Sequence, residues 1–211
     1  MADLIFVVWP LLRAWEHKMS DAIDDLRKIV VSCTSCGLSK SRTNAVPGSG
    51  SIKTEVVFIG EAPGRTEDIQ GMPFVGTAGK ILSEALLYAG FTREDVYITN
   101  IVKCRPPDNR RPNKQEMDSC NGYLQKELEI IRPKIVCILG NTAFSSMLNG
   151  NAITKNRGKI IKRNDQLYFV TIHPAAIIYN QDLRQVLKDD LKALSGILDK
   201  IKKGIPIEIN E

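Results

Sequence analysis

The chain has 211 residues, of which 43% are apolar and 25% charged, and its formal net charge at pH 7 is +5. This length favours one globular domain with a sizeable core, and the basic excess suits a polyanion partner. No apolar run approaches the roughly 18 residues of a membrane span, and no export signal is evident at the N-terminus. We therefore expect a cytoplasmic protein without a membrane segment.

The first element is expected to begin at Ser20, where a cap-like residue precedes apolar positions at helical spacing as far as Val31. Residues 1–18 are interpreted as an N-terminal extension or a misassigned start, weakly tied to the fold. An amphipathic surface helix is the alternative. We expect one domain over residues 19–203 and a loose tail over residues 204–211.

Strand and helix patterns then alternate along the chain. They predict strands over 55–60, 95–102 and 134–140, a hairpin of 158–162 with 167–174, and helices over 77–90, 113–131, 141–148 and 183–201. Such alternation is typical of βαβ units. The sequence thus predicts an α/β fold, a three-layer α/β/α sandwich with a central, mainly parallel four-stranded sheet.

Five cysteines lie at positions 33, 36, 104, 120 and 137. An odd number in a chain without an export signal argues against a disulfide framework. Cys137 lies inside an apolar strand and is interpreted as a core residue. The close pair Cys33 and Cys36, with the distant Cys104 and Cys120, favours a [4Fe-4S] cluster over the alternatives, a structural zinc ion or unliganded thiols.

Three unusual segments follow predicted strands and should meet at one edge of the sheet. They are "GEAPG" from Gly60, Asn100 at the end of "YITN", and "HPAA" from His173. No nucleotide-binding glycine pattern accompanies them. The long loop after Gly60 carries Phe74, a ring on which a flat aromatic ligand would stack; sealing of the core is the alternative role.

These motifs resemble those of the family 4 uracil-DNA glycosylases, iron–sulfur enzymes of bacteria and archaea. The resemblance rests on "GEAPG", "EDIQGMPFVGTAGK", "VYITNIVKCRPP" and "HPA", together with the four cysteines, and covers roughly Ser20 to Ile201. It implies base-excision repair: uracil is flipped out of DNA and its N-glycosidic bond is hydrolysed without a lyase step.

The resemblance also implies roles for single residues. His173 would donate to uracil O2 as the base departs, beside backbone N–H groups of the Glu61–Ala62 turn. Asn100 would select uracil, because its amide donates to O4 and accepts from N3–H, and Phe74 would stack on the base. The uracil site is therefore assigned to Gly60, Glu61, Ala62, Phe74, Asn100 and His173.

Several acidic residues are candidates for positioning the attacking water, and the choice among them is left open. Other glycosylase families carry an aspartate where this chain has Ala62. Glu67 is slightly favoured as the replacement, with Glu61 and Asp68 as alternatives, unless the water needs little help. Family 1 enzymes exclude the thymine methyl group with a tyrosine where this chain has Gly64, so exclusion must come from elsewhere, such as the Glu67 loop.

Contacts to DNA are expected from basic side chains around the site. The candidates are Lys80, Lys103, Arg105, Arg110, Arg111, Arg157 and Arg184. Apolar wedge candidates for base extrusion are Ile177, Ile178 and Tyr179. Family members commonly carry a basic residue near Tyr179. This chain departs from that pattern, so the choice of wedge residue is left open.

Two other classes of function compete with the glycosylase. An iron–sulfur electron carrier needs the cluster but not Phe74, Asn100 and His173 together. An iron–sulfur or zinc nucleic-acid-binding module needs only the cysteines and the basic loops. For partners we expect uracil-containing DNA and a monomeric protein, and the sequence shows no clear motif for docking to a sliding clamp.

Overall fold

The computed structural model describes the backbone of residues 3–210 and the side chains of residues 16–210. Eight α-helices are present in this part of the chain. They are α1 (Asp3–Ser32), α2 (Arg65–Gln70), α3 (Thr77–Ala89), α4 (Lys114–Ile131), α5 (Asn141–Leu148), α6 (Ile153–Asn156), α7 (Ala176–Tyr179) and α8 (Leu183–Lys202). None of these described helices is long and apolar enough to cross a membrane.

Six strands form one sheet. They are β1 (Ser49–Gly50), β2 (Val56–Gly60), β3 (Tyr97–Asn100), β4 (Ile135–Leu139), β5 (Ile160–Arg163) and β6 (Gln166–Thr171), in the spatial order β1-β3-β2-β4-β6-β5. The inner strands β3, β2, β4 and β6 are parallel, and the edge strands β1 and β5 pair antiparallel. The chain order therefore reverses between β2 and β4, where open parallel sheets bind ligands.

Helices cover both faces of the sheet, because the side chains of its buried strands alternate between two cores. Phe58 and Cys137 point into a core closed by α3 and α8. Val57 and Val136 point into a second core closed by α1, α4 and α5. The three-layer α/β/α sandwich predicted from the sequence is confirmed.

The sheet differs from the prediction in its number of strands. The parallel centre has the four strands expected, but β1 and β5 extend it to six. β1 has only two residues, too short to leave a periodic pattern, and it pairs Ser49 with Ile98. β5 is the first strand of the predicted hairpin and joins the sheet through β6.

The start of the first helix also differs from expectation. Helix α1 begins at Asp3, so Ser20 lies inside a continuous helix instead of capping its start. Serine is tolerated within a helix, and a cap-like residue alone does not fix a boundary. In the tail, Ile207 packs against the core closed by α3 and α8, and the Asn210 N–H donates to the Ile160 carbonyl at 2.7 Å on the edge strand β5.

Candidate active site and cysteine centre

A cavity of about 360 Å³ opens at the carboxyl ends of the parallel strands. Gly60 ends β2, Asn100 ends β3, and His173 lies two residues beyond the end of β6. Most residues of the predicted uracil site line this cavity, namely Glu61, Ala62, Phe74, Asn100 and His173. The fold thus brings together segments that are far apart in the sequence.

Asn100 presents a polar atom that the protein itself leaves without a partner. Asn100 is 1% exposed, and its Oδ1 accepts no hydrogen bond from the described residues. Gly60 makes room for the amide, since a Cβ there would lie 2.5 Å from Oδ1 and 2.6 Å from Cζ of Phe74. A buried, unpaired amide oxygen is costly unless a ligand satisfies it.

Phe74 is buried in the cavity wall with a left-handed backbone, at φ 52°. Glu67 fixes the loop after it, because Oε1 accepts hydrogen bonds from the N–H groups of Val75 and Gly76 at 3.0 and 2.8 Å. On the other side, Arg93 donates to the carbonyls of Phe74, at 2.9 Å, and of Pro73. A conformation unfavourable for a bulky residue is thereby held in place.

His173 faces Phe74 across the cavity, with ring centroids 5.6 Å apart and ring planes inclined at 36°. The Ala175 N–H donates to Nδ1 at 3.1 Å. Burial lowers the pKa of His173 to about 4, although the charge of Glu67 acts in the opposite direction. The ring is therefore neutral near pH 7, and with Nδ1 accepting, its proton lies on Nε2.

The three candidate carboxylates for the water differ in position. Glu61 and Glu67 line the cavity. Asp68 does not, since its carboxylate accepts from the Thr43 and Asn44 N–H groups at 2.9 and 3.3 Å, and so fixes the turn after the cysteine pair. Asp68 was therefore wrong as an alternative, because α2 turns consecutive side chains in different directions.

One predicted DNA contact, Lys103, is wrong. Lys103 is 1% exposed and pairs with the equally buried Glu127, so it cannot reach a phosphate group. Arg157 pairs with the buried Asp190, Nε to Oδ2 at 3.0 Å, but its own side chain is 32% exposed, so it stays a prediction. In both cases the cation is paired with a carboxylate distant in sequence.

The remaining basic candidates lie at the surface. Lys80 and Arg111 are exposed. Arg110 lines the cavity and is held by Glu116 through two hydrogen bonds of 2.9 and 2.7 Å. Arg105 donates to Asn109 at 2.7 Å, and Arg184 pairs with Glu84.

The wedge candidates separate by exposure. Ile177 is fully buried in the core and cannot serve as a wedge. Ile178 and Tyr179, which follow it in α7, are 44% and 90% exposed beyond the His173 loop. Those two stay predictions.

The four predicted metal-binding cysteines meet at a second, smaller cavity. Cys33 and Cys36 follow α1, Cys104 lies in the loop after β3, and Cys120 lies on α4. Arg42 links these segments, donating to Sγ of Cys104 at 2.9 Å and to the Cys33 carbonyl at 2.8 Å.

Cys137 is separate from this centre and fully buried in β4, as the sequence predicted.

Sequence reasoning missed several residues that support the two sites. Arg93 holds the Phe74 loop, and Arg42 bridges the cysteine segments, but no local pattern distinguishes either from a solvated arginine. Glu127 did leave a signal. It shares an apolar helical stripe with Cys120, Leu124 and Ile131, where an acidic side chain is unusual.

Comparison with known proteins identifies the family. The model of the uracil DNA glycosylase superfamily matches residues 47–195, more than half of the chain. The chain belongs to this superfamily. The matched region contains every residue named above that lines the larger cavity. Of the four cysteines at the second cavity, Cys104 and Cys120 lie within the matched region, and Cys33 and Cys36 precede it.

Within the uracil-DNA glycosylase superfamily, the chain is similar to proteins named Type-4 uracil-DNA glycosylase. It is 43% identical over 189 residues to one from Archaeoglobus fulgidus, covering 85% of this chain and 95% of the relative. It is 45% identical to one from Sulfurisphaera tokodaii, covering 82% and 84%. A third, from Thermotoga maritima, is 42% identical, covering 81% and 92%. The family predicted from the motifs is confirmed.

Proposed function

We infer that this protein is a DNA-repair glycosylase that removes uracil from DNA and leaves an abasic site. Family membership supports this function. The observation that carries it is the unpaired Oδ1 of Asn100, buried in a cavity whose other walls include Phe74 and the neutral ring of His173. A planar base with a matching N–H donor would satisfy that oxygen.

Recognition is proposed to rest on the amide of Asn100. Its Oδ1 would accept from uracil N3–H while its NH₂ donates to O4, with the base stacked on Phe74. Cytosine carries an acceptor at N3 and a donor at the exocyclic amine, so it would leave buried groups unpaired. Mismatches of this kind discriminate by about 10⁴-fold or more.

Bond cleavage is proposed to depend on donors aimed at the leaving base. When the N-glycosidic bond breaks, the sugar becomes oxocarbenium-like and negative charge develops on the base. The Nε2–H of His173 would donate to O2 as that charge grows, and the neutral imidazole keeps its proton throughout. A low pKa supports this role, because a neutral donor needs no preceding protonation.

The water is proposed to be held by Glu61 or Glu67, the two carboxylates that line the cavity. Both loop hydrogen bonds of Glu67 go to Oε1. Oε2 is therefore available to a water while Oε1 positions the Phe74 loop. Among the side chains that the structure describes, those lining the cavity include no lysine, the amine that a lyase step through a Schiff base requires.

The cysteine centre is proposed to hold a [4Fe-4S] cluster through Cys33, Cys36, Cys104 and Cys120. All four line one cavity, which fits a cluster in which each thiolate binds a different iron. When bound, the cluster would join three distant segments and fix the basic loop between Cys104 and Cys120. Such a centre suits the reducing cytoplasm.

The function is tested with cluster-loaded protein and a DNA strand that carries a single uracil. We expect alkali-dependent breakage at the uracil position, no breakage without alkali, and intact strands when thymine or cytosine replaces uracil. DNA binding without abasic sites would instead favour a nucleic-acid-binding module. Neither binding nor breakage, with the cluster intact, would favour an electron carrier.

The cofactor is tested by metal analysis of the purified protein and of cysteine variants. We expect about four iron atoms per chain, lost in Cys104→Ala and Cys120→Ala. The matched control is Cys137→Ala, since this buried thiol lies in β4 away from the centre, and it should keep its iron. Stoichiometric zinc in place of iron would contradict the proposed cofactor.

A further inference from the structure

A buried ion pair lies between the cysteine centre and the cavity. Lys103 and Glu127 are each 1% exposed, and Nζ lies 2.7 Å from Oε2. Burying two charges is costly, and a pair of apolar side chains commonly serves stability as well or better. Its presence directly behind the uracil site therefore calls for an explanation other than stability.

The ammonium group of Lys103 has three acceptors around it, matching its three N–H donors. Besides Glu127, they are Oγ1 of Thr99 at 2.6 Å and the backbone carbonyl of Asn100 at 2.9 Å. The Thr99 hydroxyl donates to Oε2 of Glu127 at 2.9 Å. The charge thus acts directly on the backbone of the residue proposed to select uracil.

Glu127 is itself fixed from a second side. Its Oε1 accepts from the Gly48 N–H at 3.0 Å and from the Tyr97 hydroxyl at 3.3 Å. Both carboxylate oxygens are therefore used, and the pair cannot rotate away without breaking several buried hydrogen bonds.

The end of β3 is also held from the neighbouring strand. The Ile101 N–H donates to the Gly60 carbonyl at 3.0 Å, and the Val102 N–H to the Glu61 carbonyl at 3.2 Å. Those bonds fix the backbone after Asn100, whereas Lys103 holds the carbonyl of Asn100 itself. Together they hold the backbone from which the Asn100 amide projects into the cavity.

The same residue reaches the cysteine centre through its backbone. The Lys103 N–H donates to Sγ of Cys120 at 3.2 Å, and the Lys103 carbonyl accepts from Val46 at 2.7 Å. Cys120 and Glu127 lie seven residues apart on one face of α4, so both ends of Lys103 are held by that helix.

We propose that Lys103 and Glu127 are positioning residues for uracil recognition, which fix the Asn100 amide and link its orientation to the cysteine centre. This inference rests on the proposed glycosylase function. It assigns to Lys103 a role inside the fold in place of the phosphate contact that its charge predicted.

The test is a mutant cycle that combines Lys103→Met/Glu127→Gln with Asn100→Ala. Met and Gln keep the volume, and Gln retains an oxygen for Gly48 and Tyr97, while the Asn100 carbonyl loses its donor. We expect kcat/KM for uracil release to fall about tenfold or more. On the Asn100→Ala background the same change should cost less than about twofold, since coupled residues are not additive.

A second measurement separates positioning from loss of stability. Inhibition by free uracil should weaken in the pair variant, because the pocket itself is altered. Leu194→Ala is the control, since it removes a fully buried side chain of α8 in the opposite core and should lower stability without changing inhibition. If the pair variant does not fold, Thr99→Val enters the same cycle.

Additive losses in the cycle, or unchanged inhibition by uracil, would overturn the positioning role. Wild-type protein that releases no uracil would reject the glycosylase function itself. The two failures are therefore distinguishable.

Discussion

Asn100 and His173 illustrate how two polar side chains acquire function from burial. The same burial leaves the amide oxygen of Asn100 unpaired and lowers the pKa of His173 to about 4. Both effects would be unfavourable in a protein with no ligand for the cavity. We interpret them as features that prepare the pocket for uracil.

A pH profile tests the neutral state of His173. Because its pKa lies near 4, the Nε2–H donor should be unchanged between about pH 5 and 8, so kcat/KM should show no ionisation of this residue there. An ionisation near 6.5 that disappears in His173→Gln would contradict the assignment. Stability should behave differently: the unfolded chain binds a proton first, so this residue makes stability fall as pH drops from 6.5 toward 4.

The sequence predicted the role of a residue where that residue lies at the end of a strand, next to the cavity. Asn100 and His173 follow apolar runs, so their location followed from the sheet. Lys103 lies only three residues beyond Asn100, yet its side chain points into the core. Its partner Glu127 lies 24 residues away. The apolar stripe of α4 indicates that Glu127 is buried, but no local pattern identifies Lys103 as its partner.

At the scale of elements, the Phe74 loop depends on the close approach of α3. Gly79, in the first turns of α3, lies against the Phe74 carbonyl so closely that a Cβ would overlap it. Glu67 and Arg93 hold the same loop by its N–H and carbonyl groups. The stacking surface is therefore set by backbone contacts.

Substitution of Gly79 tests this dependence. Gly79→Ala should displace Phe74 and lower kcat/KM for uracil release by about tenfold or more, although alanine favours helices. Gly196→Ala is the matched control, since nothing lies within 4 Å of a Cβ there; it should raise stability by about 0.5 to 1 kcal/mol and leave activity unchanged. Equal activity of both variants would contradict the packing described.

Elements with a clear period were predicted and short ones were not. The central strands β2 and β4 are continuous apolar runs, which identifies them as buried strands of a parallel sheet. β1 has only two residues and belongs to the sheet only because it pairs with β3, so it leaves no periodic pattern in the sequence. The start of α1 was misplaced because Ser20 resembles an N-terminal cap. The helix in fact continues through Ser20 from Asp3, and a cap-like residue alone does not set a helix boundary.

At the scale of the whole molecule, the basic side chains behind the net charge of +5 include both exposed residues and a buried, paired one. Charge counting cannot separate these groups, which is why Lys103 was misassigned. Exposed arginines of the loop after Cys104, such as Arg111, remain the expected contacts for DNA phosphates.

Salt dependence of DNA binding tests that surface. Arg111→Ala should reduce the slope of log K against log salt by about one and weaken binding to any sequence. Lys134→Ala is the control, because Lys134 pairs with Glu55 at the amino ends of β4 and β2, away from the cavity. An unchanged slope for Arg111→Ala would exclude this side chain from the interface.

Asn100 and His173 are both proposed to act on a flipped uracil. The most direct test is the single-turnover rate of uracil release from a one-uracil strand, for wild type, Asn100→Ala and His173→Ala at equal cluster content. We predict release by wild type and losses of about 10²-fold or more in each variant. Wild-type rates in both variants would exclude these two side chains from uracil recognition and cleavage.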